Sequence, residues 1–170
     1  MRTASLLVGA ALAIASAGCT ASSRVADAVV TEVDGAPCFT VPNNDETRAG
    51  VPLFGVSVTK SNGPGATARP EEVWNSFFEP MGKSAQLKPQ NCIRYGVSPP
   101  SARHDVLIAL LPYVVYKVVL NAVPEGSNLR GYSAEFCVIP TVGKKPRVQV
   151  VLWDAKASRW RYELCATGAK

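Results

Sequence analysis

Tyr132-Ser133-Ala134-Glu135-Phe136-Cys137-Val138-Ile139, followed after a short gap by Val148-Gln149-Val150-Val151-Leu152-Trp153, decides the fold. In the first run Tyr132, Ala134, Phe136 and Val138 alternate with Ser133, Glu135 and Cys137; in the second, Val148, Val150 and Leu152 alternate with Gln149, Val151 and Trp153. A period of two puts one face of a strand in a core and the other outward. The gaps at 141–146 and 154–158 are short, so an antiparallel meander of three strands, 132–139, 148–153 and 160–165, is the economical reading.

Working outward, similar short runs occupy 38–41, 53–58, 72–78, 92–95 and 113–122. The residues between them carry turn chemistry: Pro42-Asn43-Asn44, Ser61-Asn62-Gly63-Pro64-Gly65, Pro99-Pro100, Pro124-Glu125-Gly126 and Gly143-Lys144-Lys145-Pro146. No segment after residue 36 shows a helical apolar stripe. An all-β fold follows, an immunoglobulin-like β-sandwich of about seven to eight strands over residues 37–170, with a partly open barrel as the alternative.

The N-terminus has another character. Arg2 precedes an apolar run at 6–15, then come Ser16-Ala17-Gly18 and Cys19. That is the order of a secretory signal, and the run is too short to cross a bilayer, which takes about 20 residues. Small residues directly before the first cysteine resemble the lipobox of bacterial lipoproteins, although Ser16 stands where that pattern prefers Leu. Residues 1–18 are therefore expected to be a signal peptide, Cys19 the lipidated residue, and 19–36 a tether. By the same resemblance, Thr20 after the cysteine points to the outer membrane, facing the periplasm.

Cutting 18 of 170 residues leaves 152, the size of one domain. It removes only Arg2 among the charges, so the formal net charge falls from +5 to +4. The cations are scattered among carboxylates rather than clustered, which argues against a nucleic-acid partner. Beyond Cys19 there are four cysteines, Cys38, Cys92, Cys137 and Cys165, an even set in an exported chain, so two disulfides are expected. They are too widely spaced for a zinc site and the chain has one histidine, so neither metal nor cofactor is expected. In the three-stranded meander Cys137 and Cys165 would lie two strands apart, about 10 Å against a limit of about 7 Å, which disfavours a Cys137–Cys165 bridge. The connectivity otherwise stays open.

No catalytic constellation emerges. His104 lies in a polar loop with no nucleophile in a GxSxG, SxxK or HExxH setting. The adjacent pairs Glu71-Glu72 and Asp45-Glu46 read as solvated loop charge, since neighbours in a strand point to opposite faces. Gly63-Pro64-Gly65 lacks the lysine and helix start of a phosphate loop and reads as a hairpin tip. Trp74, Trp153 and Trp160 fall in strand patterns, with Trp153 and Trp160 placed to pair across a tight turn. Loops 43–50 and 61–70, with Arg48 and Arg69, are expected at one end of the sandwich as candidates for protein recognition, and Arg159 and Arg161 beside the tryptophans are further candidates.

Five segments carry a family resemblance: Cys38-Phe39-Thr40-Val41-Pro42-Asn43, Gly55-Val56-Ser57-Val58, Asn91-Cys92-Ile93-Arg94-Tyr95-Gly96, Tyr132-Ser133-Ala134-Glu135-Phe136-Cys137 and Trp160-Arg161-Tyr162-Glu163-Leu164-Cys165. In these the chain resembles the type VI secretion immunity periplasmic lipoproteins of Gram-negative bacteria. The resemblance implies a non-enzymatic protein, anchored to the membrane by its lipid, that binds and neutralises a secreted effector. It brings no residue-level binding site with it. A structural or envelope-assembly lipoprotein without toxin binding is the alternative.

Overall fold

Strand Gly131–Ile139 is the spine of the computed structural model, which describes residues 25–61, 69–78, 84–129 and 131–166. Among these residues there are thirteen strands: β1 (Val25–Asp27), β2 (Val29–Val33), β3 (Ala36–Thr40), β4 (Val51–Lys60), β5 (Glu72–Phe78), β6 (Ala85–Leu87), β7 (Ile93–Arg94), β8 (Ala102–Arg103), β9 (Tyr116–Ala122), β10 (Gly131–Ile139), β11 (Arg147–Val150), β12 (Trp153–Asp154) and β13 (Arg159–Trp160). One 3-10 helix, Tyr162–Cys165, comes after them. The all-β expectation holds. The count exceeds seven to eight because several strands are pairings of only two or three residues.

The large sheet runs β1-β10-β9-β4-β5-β8, with β11 also on β10 and β6 on β4; β2-β3-β7 form a second sheet and β12-β13 a two-stranded ribbon. The two main sheets face each other across an aromatic core. Phe39 of β3 lies 6.2 Å from Trp74 of β5 and 5.4 Å from Phe136 of β10, ring centre to ring centre, so one side chain of the small sheet bridges opposite flanks of the large one. All three are fully buried, each contributing about 2–3 kcal/mol of apolar transfer. Alternation of period two is kept residue by residue in β9, where Tyr116, Val118, Leu120 and Ala122 are buried and Lys117, Val119 and Asn121 are exposed.

In β10 the expected inward set is likewise buried: Tyr132, Phe136 and Val138, with Ala134 half-buried against the core. Gly131 begins this strand at φ 145°, and a Cβ there would sit 2.4 Å from the Leu120 carbonyl oxygen. Only glycine permits β10 and β9 to come so close at that point.

Two expectations are corrected. First, residues 25–27 and 29–33 of the expected tether are strands. Asp34 and Gly35 both take positive φ, 56° and 80°, and close a two-residue hairpin between β2 and β3. Just before them β1 pairs in parallel with β10, Val25 opposite Gly131, and the Ala28 N–H donates to the Ser133 carbonyl at 2.9 Å. The folded part thus takes in β1 and β2 as well as the strands from Cys38 onward. Second, Cys137 and Cys165 are bridged, as are Cys38 and Cys92. The first hairpin of the expected meander, β10-β11, is present. Its third strand is not, because the chain leaves the sheet plane after Val151 and returns as the 3-10 helix lying over the outer face of β10. Cys165 therefore stands above Cys137, with Cα atoms 5.8 Å apart, instead of two strands away.

Candidate functional site

The strand directions give the domain two ends. The start of β10, the end of β9 and the start of β4 mark one; the end of β10, the start of β9, the end of β4 and the start of β5 mark the other. Since β1 runs parallel to β10 from Val25, the chain enters at the first end. Loop 43–50 precedes β4 and so shares that entry end, whereas Arg69 precedes β5 and lies at the far end. The ten-residue β4, about 30 Å long, separates them. This corrects the expectation that both loops gather at one end.

Each arginine singled out from the sequence has a clear place. Arg48 is exposed and paired to Asp45 at 2.8 Å across a turn closed by Asn44 and Thr47. Arg69 is exposed. Arg159 and Arg161 share Glu163, at 3.7 and 3.3 Å. A backbone hydrogen bond first, and then these arginine contacts, hold the Glu163 carboxyl below its usual range. Ion pairs this exposed are screened by water and contribute little to stability. Cys19 and Gly63-Pro64-Gly65 lie outside the described residues. His104 is exposed, its Nδ1 3.5 Å from Ser98 Oγ. Among the described residues no cluster of His, Cys, Asp or Glu is arranged to hold a metal ion.

Two surfaces stand out instead. At the far end, residues 105–115 cross from the β5 edge to the end of β10. The Asp105 N–H donates to Asn75 Oδ1 at 2.8 Å, the Ile108 N–H to the Val73 carbonyl at 2.8 Å, the Leu111 N–H to Tyr116 Oη at 2.8 Å and the Tyr113 N–H to the Val138 carbonyl at 2.9 Å. Tyr95 Oη donates to the Ile108 carbonyl at 2.6 Å, and burial pushes that phenol up to about 12. Leu110 and Val114 face the core. The backbone is thus pinned along its length, yet Leu107 is 54% and Leu111 56% exposed, with Ile108 and Val97 exposed beside them. No charged residue occurs between Asp105 and Lys117. A fixed loop offering apolar side chains to water is the arrangement of a docking surface, because little ordering remains to be done on binding.

The second surface is a cleft of about 680 Å³ on the outer face of the large sheet. Its floor is Lys117, Ser133 and Glu135, and its walls are Val25 and Asp27 on one side and Leu152, Trp153 and Trp160 on the other. Glu135 anchors it: Oε2 accepts from Tyr162 Oη at 2.7 Å and Oε1 from Ser61 Oγ at 3.0 Å. Burial first, and then the Glu135 contact, push the Tyr162 phenol up to about 12. Trp153 and Trp160 are cross-strand partners in the β12-β13 ribbon, edge to face at 5.4 Å, as their spacing predicts. Both remain exposed, at 51% and 41%.

The far-end loop is the surface that the sequence patterns miss. Its only signal is the uncharged stretch 106–116, of which 113–116 looks like the beginning of a strand that in fact begins at Tyr116. Compared with protein-family models, curated proteins and solved structures, the chain matches none.

Proposed function

We propose that this chain is a lipid-anchored periplasmic protein that acts by stoichiometric protein binding, as an immunity protein neutralising a type VI secretion effector, and that the effector docks on the far-end loop 105–112. The observation that carries the binding reading is the exposure of Leu107, Ile108 and Leu111 on a hydrogen-bonded backbone. A pinned apolar patch loses little entropy on association, so its burial goes largely into affinity. Export and anchoring rest on the signal pattern at 1–18 and on Cys19. Two disulfides suit an oxidising compartment. The immunity role rests on the five-segment resemblance. Among the described residues no helix is long and apolar enough to cross a membrane, so in this reading the lipid supplies the attachment. The entry end, from which the anchor departs, lies opposite loop 105–112, which leaves that loop facing the periplasm.

The test is to delete the gene and compete the strain against an isogenic attacker with an active contact-dependent secretion system. Immunity requires that the deletion strain be killed and that the gene supplied in trans restore survival. Equal survival of the deletion strain and its parent removes the immunity role and favours envelope assembly.

A further inference from the structure

The β12-β13 ribbon is not explained by effector docking at the far end. Trp153 and Trp160 stand out of the sheet with about half their surface in water, beside exposed Leu152, and they face Val25 across the cleft. The tip carries Lys156, and Arg159 and Arg161 come just after it, so the ribbon and the start of the 3-10 helix hold three cations against Asp154 and Glu163. Paired tryptophans with an apolar neighbour and a cationic border are the side chains that settle at the headgroup level of a bilayer, where a ring buries its body and keeps its N–H wet.

Chain length supplies the partner. Val25 is six residues after Cys19, and six residues reach at most about 20 Å even when fully extended. If Cys19 carries the lipid, the leaflet that holds it lies within about 20 Å of the cleft mouth at Val25. At that range a second contact is intramolecular, and a short tether gives an effective concentration on the order of millimolar, so a contact too weak to bind membranes alone would still be occupied.

We infer that the Trp153/Trp160 ribbon is a membrane-contact element, resting in the phospholipid headgroup region of the leaflet that holds Cys19. The inference rests on the lipidation of Cys19. It gives the anchored domain a fixed posture, with the Val25 cleft toward the bilayer and loop 105–112 away from it. The mild positive balance of the ribbon fits an anionic lipid surface.

The experiment uses the full lipidated chain, reconstituted into vesicles of phosphatidylethanolamine and phosphatidylglycerol with either plain or brominated acyl chains. Flotation reports whether the protein is anchored, and tryptophan emission reports whether the ribbon touches lipid. Trp74 is fully buried and serves as the internal reference. The expected result is flotation together with a loss of emission in brominated vesicles. In a Trp153→Ser/Trp160→Ser variant, the remaining emission of Trp74 should be the same in both vesicle types. Flotation with unchanged wild-type emission overturns the contact while leaving the lipid anchor in place. Failure to float overturns the lipid anchor, and the inference falls with it. Should the double variant not fold, comparison of wild-type emission in the two vesicle types still decides between contact and none.

Discussion

Cys165 sits over Cys137 on the outer face of β10, their Cα atoms 5.8 Å apart, and this bridge ties the terminal 3-10 helix to the central strand. With Val151 the two half-cystines make a small second core, packed against Val115, Ile139 and Tyr162. The bridge spans 28 residues and its counterpart, Cys38–Cys92, spans 54. Chain-entropy arithmetic for loops of these lengths gives about 3–4 kcal/mol each. Peptide mapping of unreduced, alkylated protein should recover Cys38–Cys92 and Cys137–Cys165. A Cys137→Ser/Cys165→Ser variant should lose about 3–4 kcal/mol in denaturant unfolding.

Gly131 and Gly126 offer a matched comparison. Both have positive φ, but a Cβ at Gly126 meets nothing within 4 Å, whereas one at Gly131 collides with the Leu120 carbonyl oxygen. Gly126→Ala should cost about 1 kcal/mol from backbone strain alone. Gly131→Ala should cost about 3 kcal/mol or more, because β9 and β10 must separate. Thermal melts of the two variants test the difference.

Alkaline pH should loosen the helix end. The Tyr162 and Tyr95 phenols are both raised to about 12 from the ordinary value of 10.0, Tyr162 by burial and by Glu135, Tyr95 by burial and by Tyr116. A folded-state pKa above the unfolded one means the protonated form is favoured by folding. The stabilisation is therefore complete below pH 10 and is lost as pH rises toward about 12. Ultraviolet titration should show these two phenols ionising well above the ordinary value of 10.0, at about 12. Tyr162→Phe, which removes the hydrogen bond to Glu135, should cost about 1–2 kcal/mol at neutral pH and flatten the stability profile above pH 10.

Cys19→Ser should abolish lipid labelling and move the protein from the membrane fraction to the soluble periplasmic fraction. In the unmodified protein, density-gradient separation should place it in the outer membrane. Unchanged membrane partition of the variant contradicts the anchor.

Much of the core was legible because it is written with a period of two. Tyr132, Phe136 and Val138 point inward in the pattern and are buried, whereas the alternation read for 148–153 breaks at its end, where Val151 is buried and Leu152 is 51% exposed. What failed was the assignment of segments too short to show a period. Val29–Val33 and Ala36–Thr40 flank Asp34-Gly35, one of the strongest two-residue hairpin signals, yet small and polar neighbours give 19–36 the look of a tether. At the other terminus, Trp160-Arg161-Tyr162-Glu163-Leu164-Cys165 has strand-like composition, but its side chains serve the outer face: Tyr162 reaches Glu135 and Cys165 reaches Cys137. No local pattern encodes that tertiary destination. The arginines were visible as charges, but whether Arg48 and Arg69 share an end depends on β4 running between their loops. Loop 105–115 was hidden for the opposite reason. Its apolar residues look like core, and only the fold shows that Leu110 turns in while Leu107 and Leu111 turn out.

The most direct test of the binding account is survival of a strain carrying a Leu107→Asp/Leu111→Asp variant as its only copy, under attack by the isogenic strain. Both side chains are more than half exposed, so stability should change by less than about 1 kcal/mol, which a melt of the purified variant checks. The account predicts that this strain is killed like the deletion strain, while one carrying Arg48→Ala survives like the parent. Full protection by the folded Leu107→Asp/Leu111→Asp variant would contradict it.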